Sequence, residues 1–217
     1  MAQIKVKICC INSISEAELA IKLGADAIGL VGRMPSGPGP IEDDLIKNIS
    51  AAIPPPVATF LLTCETSAKQ IINHHRKTFT NTIQLVDELD NKDYALIKEA
   101  IPSIKLVQVI HVINQSSVEE AIKISGYVHA ILLDSGNPKL VTKELGGTGR
   151  VHDWKLSRKI KDSIKIPLFL AGGLNAENVK QAIEEVEPYG VDVCTGVRTN
   201  GYLDEIKLSA FIEAINN

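Results

Sequence analysis

The sequence predicts an α/β chain folded as a (β/α)8 TIM barrel, and three observations carry that expectation. Eight short, β-branched and mostly apolar runs are present, and eight amphipathic segments alternate with them. The repeat is roughly 25 residues per unit, the size of one βα step. No Gly-x-Gly-x-x-Gly follows the first run, which reads Cys9-Cys10-Ile11-Asn12. Strict alternation leaves a closed barrel or an open doubly wound sheet. The count of eight and the missing dinucleotide fingerprint favour the barrel.

Taken in order, strands are expected over residues 5–9, 27–31, 57–62, 82–85, 105–110, 130–133, 167–171 and 192–195. They are largely continuous apolar runs, as strands covered on both faces must be. Helical periodicity covers 13–23, 42–52, 67–77, 92–101, 117–124, 154–162, 176–187 and 203–215. Capping chemistry supports two of the starts. Ser117 with Glu120 forms a Ser-x-x-Glu box, and Asn175 precedes Ala-Glu-Asn at the seventh helix. Within the 217 residues no stretch reads as linker or low-complexity sequence, so one domain over 1–217 is expected.

Charge and composition exclude several classes. The net charge is −3 and Lys and Arg are scattered, which gives no basic face for nucleic acid. No apolar run reaches the roughly 18 residues of a membrane span. The N-terminus enters an apolar strand without a signal peptide's h-region, so a cytoplasmic protein with reduced thiols is expected. Cys9, Cys10, Cys64 and Cys194 make neither a CxxC pattern nor a disulfide scaffold, and the adjacent pair reads as chance plus one buried small residue. His74-His75 lacks a companion at metal spacing, so no metal is expected; this pair and His152 are placed on outer surfaces. Trp154 is expected to pack at the start of the sixth helix, and Phe60 and Phe169 in strand core.

In a barrel of this kind the chemistry sits at strand carboxyl ends and in the loops that follow. Strand 7 runs into Ala171-Gly172-Gly173-Leu174 and strand 8 into Cys194-Thr195-Gly196-Val197-Arg198; the loop after strand 6 holds Gly146-Gly147-Thr148-Gly149. Glycines there let backbone N–H groups approach phosphate oxygens, or simply form turns. Asp134 ends an apolar run, where desolvation would raise its pKa for general-acid work; an N-capping or loop-ordering Asp is the alternative. Cys9 is either a thiolate base or a small buried apolar residue. A phosphorylated sugar derivative is the ligand these features point to.

Lys7-Ile8-Cys9, Leu133-Asp134-Ser135, Gly146-Gly147-Thr148-Gly149 with Asp153-Trp154, Ala171-Gly172-Gly173-Leu174 and Gly190-Val191-Asp192-Val193 resemble the phosphoribosylanthranilate isomerase family, in order along essentially the whole chain. The resemblance implies a cofactor-free Amadori rearrangement in tryptophan biosynthesis. N-(5-phosphoribosyl)anthranilate becomes the corresponding 1-deoxyribulose 5-phosphate, with Asp134 as acid and Cys9 as base. It further implies phosphate binding at Gly172, Gly173, Thr195 and Gly196, a substrate contact at Gly147, and Asp192 binding or ordering the sugar end. The chain would act as a monomer or homodimer on a small phosphorylated substrate.

The departures from the family pattern are specific. Met34-Pro35-Ser36-Gly37-Pro38 replaces the usual Ser-Pro-Arg, whose arginine grips the anthranilate carboxylate. Gln84-Leu85-Val86-Asp87 lacks the usual histidine, Cys10 stands where a glycine follows Lys-Ile-Cys, and Arg198 stands where a glutamate follows Ser-Gly-Val. Arg33, Arg198, Arg150 or His111 are the candidates to replace the lost carboxylate partner, because an arginine fork binds both carboxylate oxygens. The other outcomes are an isomerase for a different phosphorylated aminosugar and a non-catalytic sugar-phosphate binder.

Overall fold

The computed structural model describes residues 3–136, 140, 143 and 149–217. Eight parallel strands close into a barrel in chain order: β1 (Lys5–Ile8), β2 (Ala27–Val31), β3 (Ala58–Thr63), β4 (Thr82–Leu85), β5 (Lys105–His111), β6 (Ala130–Asp134), β7 (Leu168–Leu170) and β8 (Gly190–Val193). Around them run α1 (Ile14–Lys22), α2 (Asp43–Ala52), α3 (Ala68–Thr78), α4 (Asn91–Ala100), α5 (Ser116–Ser125), α6 (Trp154–Ser163), α7 (Val179–Val186) and α8 (Glu205–Asn216). A two-stranded hairpin of β9 (Arg198–Thr199) and β10 (Tyr202–Leu203) precedes α8. No helix among the described residues is long and apolar enough to cross a membrane.

Side-chain alternation along the strands sorts the residues into two layers. Ile8, Ile131, Leu133, Val191 and Val193 point outward and pack beneath the helices, where α2 brings Ile46 and Ile49 and α3 brings Ile71. Each of these fully buried aliphatic side chains contributes about 1.5–3 kcal/mol. The alternate positions fill the barrel: Cys9, Val31, Phe60, Leu62, Val107, Val109, Ala130, Leu132 and Phe169 form one interior cluster. Phe60 and Phe169 meet edge to face, with ring centroids 6.1 Å apart. β1 pairs with β8 in a register that sets Lys7 beside Asp192, and this pairing closes the barrel.

Several boundaries and side-chain placements differ from the sequence expectation. Ser117 lies inside α5 and is no N-cap: its hydroxyl donates to the His111 carbonyl and accepts from the Ile113 amide, tying the helix to the end of β5. α7 begins at Val179 because Asn175 Oδ1 accepts from the Glu177 and Asn178 amides and holds 175–178 as a turn. The last barrel strand spans Gly190–Val193, so Asp192 lies within it. His74 is not on an outer surface: it bridges Thr63 Oγ1 at 2.9 Å and the Asp43 carboxylate at 3.0 Å. His152 is also drawn inward, its Nε2 2.8 Å from Ser157 Oγ. Burial lowers its pKa to about 4. Trp154 opens α6 and packs, partly buried, against the core.

Candidate active site

The strand alternation that fills the barrel with apolar side chains also sends Lys7, Cys9, Gln84, Asp134 and Asp192 toward its axis. All but Lys7 line an open cleft at the carboxyl ends of the strands. Val31, Leu62 and Val86 supply apolar wall, and the loop after β2 adds Met34, Ser36, Gly37 and Pro38. Ser36 Oγ donates to the Lys143 carbonyl at 2.6 Å, and the Lys143 ammonium pairs with Asp87 after β4. Three loops are thereby tied together at the rim.

Lys7 lies under the cleft floor, with no exposed surface, its Nζ 2.9 Å from Asp192 and 5.2 Å from the Phe60 ring centroid. Burial opposes its charge, yet Asp192 and then Cys9 outweigh that penalty and raise its pKa. Gly29 of β2 makes this packing possible: a Cβ there would stand 2.9 Å from Cys9 Sγ and 3.1 Å from Lys7 Nζ. The sequence singles out no role for Lys7 beyond its strand motif; its signal is a lysine two residues before Cys9 in an apolar strand, hence on the same inward face.

Opposite shifts are imposed on the two candidate proton-transfer groups. The Cys10 thiol beside Cys9, and then the Lys7 ammonium, lower the Cys9 pKa against burial and the Asp192 charge. Burial raises the pKa of Asp134, helped by Asp192 and opposed by the Ser135 amide, which donates to its Oδ1 at 2.7 Å, and by His111. His111 sits across from Asp134 in the β5–β6 register, with Nε2 3.3 Å from the Val86 carbonyl, and burial lowers its pKa. Gln84 is buried, and its Oε1 has no hydrogen-bond partner among the described residues. An unpaired amide oxygen on a residue that lines the cleft is suited to a ligand hydroxyl.

The glycine loops close the other side. Gly172 and Gly173 both line the cleft. Gly172 has φ 84°, and a Cβ on it would stand 2.9 Å from His152 Nδ1. Thr195 lines the cleft and opens a short 3-10 turn over Thr195–Val197. Gly196 packs so closely on the loop after β7 that a Cβ would fall 2.0 Å from the Leu174 carbonyl oxygen. Gly147 lies outside the described residues.

The two arginines are placed differently from the sequence expectation. Arg33 is exposed, and the cleft wall in its loop is made by Met34 and the residues after Pro35. Arg198 is buried and turned away from the cleft. Its fork donates to Glu16 at 3.1 and 3.0 Å, to the Cys10 carbonyl at 2.6 Å and to the Gly201 carbonyl at 2.9 Å. Glu16 also accepts from the Leu203 and Asn12 amides. Arg198 therefore orders the β9–β10 hairpin against α1 and does not stand in for a carboxylate clamp. Arg150 is exposed, and its backbone packs against Gly173.

Comparison with known proteins gives a consistent picture. A family model described as PRAI, N-(5'phosphoribosyl)anthranilate (PRA) isomerase, matches residues 6–214. The N-(5'-phosphoribosyl)anthranilate isomerase 2 of Methanosarcina mazei is 34% identical over 215 residues, covering 98% of this chain and 94% of the relative. The phosphoribosyl anthranilate isomerase of Thermotoga maritima superposes with a TM-score of 0.83 at 30% identity, covering 99% of both chains. A phosphoribosyl anthranilate isomerase in complex with reduced 1-(o-carboxyphenylamino)-1-deoxyribulose 5-phosphate superposes with a TM-score of 0.82 at 28% identity, again over 99% of both.

Proposed function

This chain belongs to the N-(5'-phosphoribosyl)anthranilate isomerase family, and from that premise we propose that Cys9 and Asp134 are the base and the acid of its reaction. The chain is an intramolecular oxidoreductase of tryptophan biosynthesis. It converts N-(5'-phosphoribosyl)anthranilate to 1-(o-carboxyphenylamino)-1-deoxyribulose 5-phosphate. The observation that carries the residue assignment is that Cys9 and Asp134 share one cleft and have pKa values displaced toward one another.

That displacement matters because both groups must be in the less usual state together. Ordinary thiol and carboxyl pKa values lie about 5 units apart, so unshifted groups would be thiolate and carboxylic acid together in only about 10⁻⁵ of molecules at any pH between them. Each unit of convergence multiplies that fraction about tenfold. Asp134 as the acid protonates the furanose ring oxygen, the C1–O bond breaks, and the anthranilate nitrogen becomes an iminium. Cys9 thiolate then takes the C2 proton, made acidic by the adjacent cation, and the resulting enolamine tautomerises to the aminoketose. The thiol and the carboxylate left behind exchange one proton through solvent, and the cycle closes.

Gly172, Gly173, Thr195 and Gly196 anchor the phosphate through backbone amides, and the aryl ring rests on Met34, Pro38, Leu62 and Val86. Asp192, neutralised by Lys7, orders the sugar end, and Gln84 faces a ribose hydroxyl. The test is conversion of N-(5'-phosphoribosyl)anthranilate by the purified protein together with growth of a tryptophan auxotroph lacking this isomerase. Both are expected. Failure of both, with turnover of another phosphorylated aminoaldose, would reassign the substrate.

A further inference from the structure

We propose that Cys10 and Cys194 form a reversible disulfide site in the cleft, oxidised by low-molecular-weight disulfides, and that its oxidised form turns over substrate more slowly. The two sulfurs lie 2.8 Å apart. Non-bonded carbon atoms keep about 3.5 Å, and sulfur is larger; a disulfide bond is about 2.05 Å. The carriers are neighbours in the barrel wall: β1 pairs with β8 at Ile8 and Val193, and the Cys9 amide donates to the Val193 carbonyl at 2.8 Å. Adjacent strands run about 4.8 Å apart, which falls within the Cα separations that disulfides span.

The backbone is bent to make the pair. Cys9 points into the barrel, so simple alternation would send Cys10 outward. Cys10 instead adopts φ 63°, a left-handed conformation that favours glycine, and the residue lines the cleft with its thiol against Cys194. Both Cys10 and Cys194 line the cleft, and Cys194 is only half-buried, so a small oxidant reaches the pair by the route substrate takes. Neither thiol has a proton to move in the isomerisation.

The chemistry balances as ordinary exchange. Cys194 thiolate attacks one sulfur of the small disulfide; the new sulfur–sulfur bond forms, the old one breaks, and the leaving thiolate takes a proton from solvent. Cys10 gives its proton to solvent and attacks the Cys194 sulfur, expelling the second small thiol. Two protein thiols lose two electrons, and one small disulfide becomes two thiols. Oxidation removes the Cys10 thiol that holds the Cys9 pKa down and pins the loop bearing Thr195 to β1. Both effects slow an enzyme that uses Cys9 as base, so the rate consequence rests on that assignment, whereas the cross-link does not.

The protein is incubated with glutathione disulfide, its free thiols are capped with a maleimide, and its peptides are mapped by mass. A Cys10–Cys194 cross-link is expected, with at least a tenfold loss of kcat/KM that dithiothreitol restores. Cys194→Ser and Cys10→Gly, the latter suited to the left-handed backbone, are each expected to keep their own starting rate after the same treatment. The proposal is overturned by absence of the cross-link, by a cross-link that includes Cys9 or Cys64, by unchanged turnover of the cross-linked enzyme, or by equal loss in Cys194→Ser.

Discussion

Replacing Lys7 with Met tests the electrostatic floor of the site in two independent ways. Lys7 has no exposed surface, and its ammonium is 2.9 Å from the buried Asp192 carboxylate. Removing one partner of such a pair costs about 3–5 kcal/mol, because the remaining charge is left buried without compensation. The cost depends on pH, and its sign is fixed. Burial already raises the Asp192 pKa in the intact protein, and loss of Lys7 raises it further. A carboxyl whose folded pKa exceeds its unfolded value, about 4, carries no penalty below that value. The penalty grows by about 1.4 kcal/mol per pH unit above it, until the folded-state group ionises. Urea denaturation at about pH 4 should therefore show Lys7→Met close to the parent, and at about pH 8 several kcal/mol less stable. Equal loss at both pH values, or under about 1 kcal/mol at the higher, would refute the buried-pair reasoning. Lys7→Met/Asp192→Asn should recover most of the loss, since neither charge then remains.

The remaining expectations concern the loops and the thiol. The ultraviolet thiolate absorbance of Cys9, taken as the difference from Cys9→Ala, should titrate below the ordinary value of about 8.5 and move upward in Lys7→Met; a midpoint at or above the ordinary value contradicts the assignment. Gly196→Ala should push the loops after β7 and β8 apart and weaken inorganic phosphate binding at least tenfold, a claim that unchanged affinity would defeat. Arg198→Met should cost about 3–5 kcal/mol of stability by stranding Glu16. It should also change KM equally for the anthranilate substrate and a carboxylate-free analogue. A larger effect on the anthranilate substrate would return Arg198 to carboxylate recognition.

Much of this architecture was legible because the strands obey short-range rules. Apolar runs located β2 and β4 to the residue, and parity alone turns Cys9, Asp134 and Asp192 toward the same axis. The misplacements of Arg198 and His74 share one cause, which is dependence on partners far along the chain. Arg198 reads as a free cation after the eighth strand until Glu16, 182 positions away, is seen to take its fork. His74 reads as a surface residue because the carboxylate that holds it, on Asp43, comes from another βα unit, whereas His152 is turned inward by Ser157 within its own helix start. The departure at Cys10 was visible as a letter, but its consequence required the backbone: a residue forced to φ 63° against Cys194 has no signature in composition or spacing.

On the proposed assignment, the lowered Cys9 thiol and the raised Asp134 carboxyl move the two protons of the isomerisation. The most direct measurement is single-turnover conversion of N-(5'-phosphoribosyl)anthranilate by Cys9→Ala and Asp134→Asn, with inorganic phosphate affinity measured on the same preparations. A rate lowered about 10²–10⁴-fold in each variant, at unchanged phosphate affinity, is the expected result. A rate within tenfold of the parent in either variant would contradict the account.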